Sequence, residues 1–200
     1  MSPVAKSLAC LLSAGALALV ACGGDDESTT ASESSTTTET AASSDCSPIE
    51  EVEVQLGGRH TEDEYVAADY ETNPPSGGDH NPTPLEAARF YPEPPPLGQT
   101  VHLLEHGAVI GWTNGLSPED RKAVEEEFNE VFQDGYYQLA VVENPDLEVP
   151  FALSAWGAYQ TCDRVDTAAI RSFVEEWYAS PKTAEAGFAC QGQARSLPNC

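Results

Sequence analysis

The sequence predicts an α+β domain in which a long Pro/Gly-rich loop precedes a β-α-β-β-α succession, with two helices packed on a small sheet. Three observations lead to this prediction. Residues 46–100 are rich in turn formers and show no clear hydrophobic period. After them, two segments repeat apolar residues at helical spacing, and three further segments are short apolar runs bounded by turn residues.

The two helices have recognisable starts. Ser117 precedes Pro118 and two acidic residues, which is the usual composition of an N-cap and a first helical turn. From Val124, apolar residues recur at i, i+4, i+7 and i+8, and Gly135 ends the segment. Asp166 caps the second predicted helix. Its inward residues are Ile170, Phe173, Val174 and Trp177.

Three segments are predicted to be strands. They are residues 101–113 (at least from Gly107 onward), 136–143 and 151–159. The loop that precedes them contains several aromatic residues, so we expect it to pack against the domain. These aromatic residues are Tyr65, Tyr70, Phe90 and Tyr91.

The start of the chain predicts an exported lipoprotein. Lys6 is followed by an apolar run over residues 8–20, which is shorter than the roughly 20 residues of a membrane span but typical of a signal peptide. Residues 19–22 match the lipobox, whose cysteine receives a diacylglycerol thioether and becomes the mature N-terminus. We therefore expect residues 1–21 to be removed and Cys22 to anchor the protein to the extracytoplasmic face of the cell membrane.

The composition of the remainder predicts a tether and one domain. Residues 22–45 carry the cysteine and then only small, polar and acidic residues, which predicts a disordered tether. Residues 46–200 fit a single globular domain. The chain has 33 acidic and 9 basic residues and a formal charge of −24. Nucleic acid is therefore not an expected partner, because its binding depends on lysine and arginine, and the sequence does not identify a protein partner.

Four cysteines lie in the predicted domain: Cys46, Cys162, Cys190 and Cys200. In an exported domain, four cysteines predict two disulfides with three possible connectivities. No two of them have the CxxC spacing, so the sequence indicates neither a redox pair nor a thiolate metal site.

All four histidines of the chain lie within residues 60–106. Because imidazole is a good ligand for copper(II) and zinc, this clustering predicts a metal site. In this prediction, one of His102 and His106 joins His60 and His80. A carboxylate, Glu105 or Asp79, completes the ligand set. The only methionine is Met1, which excludes a thioether copper(I) site.

His102, Glu105 and His106 also match the H-x-x-E-H pattern of inverted zinc peptidases, in which two histidines bind zinc and the glutamate is the base. That chemistry requires a helix, since the same i, i+4 spacing on a strand separates the histidines by about 13 Å. The apolar residues that follow favour a strand, so a peptidase is not expected.

Several motifs resemble the domain-of-unknown-function 3105 family of envelope-associated bacterial proteins, over roughly residues 55–192. They are GRH at residues 58–60, PPSGGDHNP at 74–82 and VHLLEHGAV at 101–109. The resemblance implies that all four histidines occupy motif positions and form one shared site, but it brings no established activity. The family often has Cys-Gly where this chain has Ala88-Arg89. If that cysteine pairs with one near the C-terminus, the resemblance implies a disulfide scheme rewired through Cys46, Cys162 or Cys200.

Three functional hypotheses follow. The first is a domain that binds a transition metal or a small ligand through His60, His80, His102, His106 and Glu105 and that is not a hydrolase. The second is an envelope interaction module in which the histidines bind loop carbonyls and have a structural role. The third is a hydrolase of envelope material that uses Glu105 and a histidine as an acid–base pair.

Overall fold

The computed structural model describes residues 45–55, 57–183, 185–191 and 200, and within them it contains three α-helices and a six-stranded mixed sheet. The predicted α+β class is confirmed. The elements are β1 (Glu50–Glu51), β2 (Arg89–Tyr91), α1 (Leu97–Glu105), β3 (Val109–Thr113), α2 (Pro118–Gln133), β4 (Leu139–Glu143), β5 (Phe151–Ala155), β6 (Ala158–Cys162) and α3 (Thr167–Trp177). None of the helices in these ranges is long and apolar enough to cross a membrane. The predicted signal, Cys22 and the tether up to residue 44 lie outside the described residues.

The strand order in the sheet is β1-β6-β5-β3-β4-β2. Strands β2, β4 and β3 run parallel to one another, whereas β5 is antiparallel to β3, and β6 and β1 continue the antiparallel part. At the centre of the sheet, Gly111 of β3 pairs with Val141 on one side and Leu153 on the other. The parallel and antiparallel halves therefore meet at β3.

The sheet is covered on both faces. On one face, Val109, Val141 and Leu153 pack with Phe128 of α2 and Phe173 of α3. The opposite face packs against α1 and the loop before it. Its buried residues include Val101, Leu104, Ile110, Trp112, Val142 and Ala152. The prediction of two helices on a small sheet is thus correct for α2 and α3. It does not include the layer formed by α1 and its loop on the opposite face.

The strand prediction for residues 101–106 is wrong, because these residues belong to α1 and its C-cap. The helix lies between the sheet and the loop, and Val101, Leu103 and Leu104 are all buried. The helix has only nine residues and directly follows three prolines, and the apolar residues after it favour a strand, so its own pattern is too short to decide. Gly107, with φ of +86°, ends the helix, and the predicted strand begins only at Val109.

The other predicted elements need smaller corrections. Residues 151–159 are not one strand, since β5 and β6 form a hairpin that turns at Trp156 and Gly157. The long loop also contributes β1 and β2, which the sequence pattern does not predict. Both predicted caps are present: the Ser117 hydroxyl accepts the Asp120 N–H at 3.1 Å, and the Asp166 carboxylate accepts the Ala169 N–H at 3.1 Å.

The four cysteines of the domain form two disulfides, as predicted. Of the three possible connectivities, the structure has Cys46–Cys162 and Cys190–Cys200. The first bridge ties the start of the domain to β6, next to the edge strand β1, across 116 residues of sequence. The second closes a span of 10 residues at the C-terminus.

Candidate metal centre

Four of the five side chains predicted to form a metal site come together: His60, His80, His102 and Glu105. Each offers one nitrogen or oxygen ligand atom, and these atoms all lie within 4.8 Å of one another. Helix α1 supplies His102 and Glu105, and two separate parts of the preceding loop supply the other two. We refer to these four residues as the His3Glu cluster.

Glu105 is the centre of the cluster. Its side chain is 5% exposed, and its Oε1 accepts the main-chain N–H of Gly58 at 3.1 Å. Its Oε2 lies 3.1 Å from Nε2 of His80 and 3.3 Å from Nε2 of His60. Because residues three apart on a helix share a face, Glu105 and His102 are presented to the same side of α1.

His80 is completely buried and its ring is fixed in orientation. Its Nδ1 lies 2.8 Å from the carbonyl oxygen of Gly78, which can only accept, so Nδ1 carries the proton. The edge of the Trp156 ring packs against it, with ring centroids 6.0 Å apart. In a neutral imidazole with this tautomer, Nε2 carries a lone pair, and here Nε2 faces the Glu105 carboxylate.

His102 has the same arrangement. Its Nδ1 donates to the carbonyl oxygen of Asn81 at 2.7 Å, which leaves Nε2 as the nitrogen available for coordination. Burial lowers the pKa of His102 to about 4, although the hydrogen bond to Asn81 opposes this shift. His102 is therefore neutral at physiological pH, which is the form that binds a metal ion.

His60 enters the cluster through a short parallel bridge between two loop segments. Thr61 donates its N–H to the carbonyl of His80 at 2.8 Å, and His80 donates to the carbonyl of Arg59 at 3.0 Å. The ring of His60 stacks on that of His102, with centroids 4.7 Å apart. Unlike the other three members, the His60 side chain is 44% exposed.

Two predicted candidates lie outside the cluster. Asp79 accepts hydrogen bonds from the main chain and the guanidinium of Arg59, and these contacts lower the pKa of its carboxyl. His106 is the C-cap of α1, and its ring centroid is 4.6 Å from that of His102. Its Nε2 lies 3.3 Å from Oε2 of Glu185, and Phe188 stacks on it at 4.3 Å. Burial lowers the pKa of His106.

Three further residues shape the site but were not identified from the sequence. Asn81 joins the loops, because its side-chain amide donates to the carbonyls of Thr61 and Asp63 at 3.2 and 2.9 Å. Gly58 and Gly98 permit close approach: a Cβ on Gly58 would lie 2.0 Å from the carbonyl oxygen of Gly78, and one on Gly98 2.3 Å from Oδ1 of Asn81. The sequence signals for Gly58 and Asn81 are the GRH and HNP strings, whereas Gly98 lies in neither string.

Residues 60–192, about two thirds of the chain, match the family described as Protein of unknown function (DUF3105). The chain belongs to this family. The resemblance inferred from the motifs is therefore confirmed, and the whole His3Glu cluster lies within the matched DUF3105 span. No curated protein and no solved structure matches the chain.

In the cluster of this DUF3105 chain, a positive charge between the members would stabilise the contacts of Glu105 with the imidazoles. Nδ1 of His80 faces the Gly78 carbonyl, so its other ring nitrogen, Nε2, is the one that faces Oε2 of Glu105, at 3.1 Å. A proton on Nε2 or a shared metal ion makes this contact favourable. Because Glu105 is buried, its carboxylate also needs a partner to offset the cost of desolvation.

Proposed function

We propose that this DUF3105 domain binds one transition-metal ion, zinc or copper(II), through the His3Glu cluster. One observation carries the proposal. Two buried imidazoles, His80 and His102, donate Nδ1–H to main-chain carbonyls, which leaves both Nε2 atoms available beside a buried carboxylate. Metal-binding histidines typically have such a second hydrogen bond, because it fixes the tautomer and the ring orientation.

Two spacings in the cluster, whose ligand atoms lie up to 4.8 Å apart, suit a small ion. Tetrahedral zinc ligands at roughly 2.1 Å from the ion lie about 3.4 Å from one another. The two contacts of Oε2 of Glu105, at 3.1 Å to His80 and 3.3 Å to His60, are close to this spacing. A set of three imidazoles and one carboxylate suits zinc or copper(II) better than calcium or magnesium, which prefer oxygen ligands.

The peptidase alternative has less support, although α1 supplies the helix that the H-x-x-E-H pattern requires. In that chemistry, both histidines bind the ion and the glutamate is a free base. Here the ring of His106 packs against His102, but its Nε2 faces Glu185 and it is not one of the four converging side chains. Glu105 accepts the Gly58 N–H and faces two imidazoles. These contacts support Glu105 as a ligand in the proposed site. We do not propose a hydrolase.

The experiment is metal titration of the purified full-length protein, with zinc, copper(II) and cobalt(II) as probes. We expect one tight site, and we expect His80→Ala and His102→Ala to abolish it, because each removes a buried ligand. His106→Ala is the matched control, since it removes an imidazole next to the cluster but outside it, and it should bind as the wild type does. Circular dichroism checks that each variant is folded. Wild-type protein that binds none of these ions contradicts the proposal, as does unchanged uptake by folded His80→Ala and His102→Ala.

We also propose that the protein is exported and held by a lipid on Cys22 at the extracytoplasmic face of the cell membrane. The apolar run over residues 8–20 and the lipobox support this, and two disulfides are in keeping with an oxidising compartment. Metabolic labelling with a radioactive fatty acid tests it. The wild-type chain should be labelled and sediment with membranes, whereas Cys22→Ala should be unlabelled; equal labelling of both would refute the anchor.

A further inference from the structure

The four members of the His3Glu cluster differ in their access to solvent. His80 is 0% exposed, and the side chain of Glu105 is 5% exposed. His102 is also buried. His60 is the exception: 44% of its side chain is exposed, and it lies between the three buried members and the surrounding water. An ion held by the four ligands would therefore be open to solvent on the side of His60.

The three buried members are also fixed by second contacts. His80 is fixed by the Gly78 carbonyl, His102 by the Asn81 carbonyl and Glu105 by the Gly58 N–H. For His60, the only side-chain hydrogen-bond partner among the described residues is Oε2 of Glu105, at 3.3 Å. No second contact of this kind sets the orientation of its ring.

The main chain around His60 does not depend on that ring. The hydrogen bonds from Thr61 to His80 and from His80 to Arg59 fix the backbone on both sides. The side chain can therefore rotate about χ1 towards solvent without breaking the bridge between the two loop segments. After that rotation, two imidazoles and a carboxylate remain on the ion, with one position open to water, as in zinc sites that exchange a ligand.

We infer that His60 is the replaceable ligand of this site, and that an external imidazole-bearing molecule takes its place on the ion during uptake and release. This inference rests on the proposed metal binding. The exchange breaks the bond between the ion and His60 and forms one to the incoming imidazole nitrogen. The charge and oxidation state of the ion do not change. The site is thus suited to passing its ion to and from other nitrogen ligands.

Chemical rescue of the cobalt(II)-loaded full-length protein tests the inference. His60→Ala creates a gap on the solvent side, so it should bind cobalt(II) more weakly than the wild type, and added free imidazole should restore the wild-type visible absorption. His80→Ala is the matched variant. Its gap is completely buried, and imidazole should not restore its spectrum. Failure to rescue His60→Ala, or equal rescue of His80→Ala, overturns the inference.

A second measurement needs no variant. Release of cobalt(II) from the wild-type protein to an excess of a strong chelator should become faster in proportion to the imidazole concentration, because the external ligand enters at the position of His60. A release rate that does not depend on imidazole overturns the inference and leaves metal binding itself intact. Wild-type protein that takes up no cobalt(II) instead refutes the proposed function, and the inference fails with it.

Discussion

At the scale of single residues, the candidate site depends on side chains that the sequence marks and on small residues that it does not. The clustering of the histidines predicted a common site, and four of the five proposed residues do converge. The sequence could not show which of His102 and His106 joins the site, since both belong to the same H-x-x-E-H pattern. The distinction comes from Glu185, which is far away in sequence and contacts His106. Similarly, Asp79 pairs with Arg59 and is not part of the cluster.

Gly58 gives a prediction at this scale. A Cβ at this position would lie 2.0 Å from the carbonyl oxygen of Gly78 and 2.6 Å from Nδ1 of His80. Gly58→Ala should therefore push the two loop segments apart and weaken cobalt(II) binding at least as much as a typical loss of a supporting contact, about 10- to 100-fold. Titration of both proteins with cobalt(II) measures the effect.

The control for this substitution is Gly187→Ala, where a Cβ would meet no atom within 4 Å. It should bind cobalt(II) as the wild type does. Unchanged binding by Gly58→Ala would show that the loops can separate without disturbing His80. The claim that close packing of the loops positions this ligand would then be wrong.

At the scale of elements, the sequence predicted α2, α3 and the central strands but not α1. Helices α2 and α3 lie at the surface, so their outer faces are polar and the helical period is visible. Helix α1 is buried over most of its length and has only nine residues, so its sequence offers too few repeats to identify a helix. The error extends to function, because the H-x-x-E-H pattern lies on a helix and not on the predicted strand. On the helix, His102 and Glu105 share one side and contribute to the same cluster.

The edge of the sheet gives a prediction for an element. Strand β1 pairs with β6 over only two residues, and the Cys46–Cys162 disulfide supports the same edge. Removing the bridge with Cys46→Ala and Cys162→Ala should lower the free energy of unfolding by about 5 kcal/mol, because the crosslink no longer restricts the unfolded chain. Denaturant unfolding of the double variant measures this loss.

Cys190→Ala combined with Cys200→Ala is the matched comparison. Its bridge closes a much shorter span, so the expected loss is about 3 kcal/mol. If the two double variants are equally stable, loop closure is not the main contribution of the long-range bridge.

At the scale of the whole molecule, the α+β class was predictable from the sequence, but the layering was not. The pairing of β1 with β6 and of β2 with β4 joins segments that are far apart in the chain. Hydrophobic periodicity carries no information about such pairs. For the same reason, the sequence indicated that the long loop packs against the domain but not that it brings His60 and His80 to α1.

The convergence of distant segments predicts that metal binding stabilises the entire domain. The ligands come from two loop segments and one helix, and an unfolded chain does not hold them together. At a free zinc concentration 100 times the Kd, the free energy of unfolding should therefore rise by about 2.7 kcal/mol. Thermal unfolding with zinc and with a chelator measures the shift. An identical Tm under both conditions would contradict it, and His80→Ala should show no shift.

The six-stranded sheet ends in a strand of two residues on one side and in a strand of three on the other. Such short edge strands expose few unpaired main-chain N–H and C=O groups, so the sheets of two copies can form few hydrogen bonds with each other. If lipid anchors concentrate the protein on a membrane, copies meet often and in similar orientations. Short outer strands would then keep the population from polymerising while each copy leaves its His60 side free for encounters.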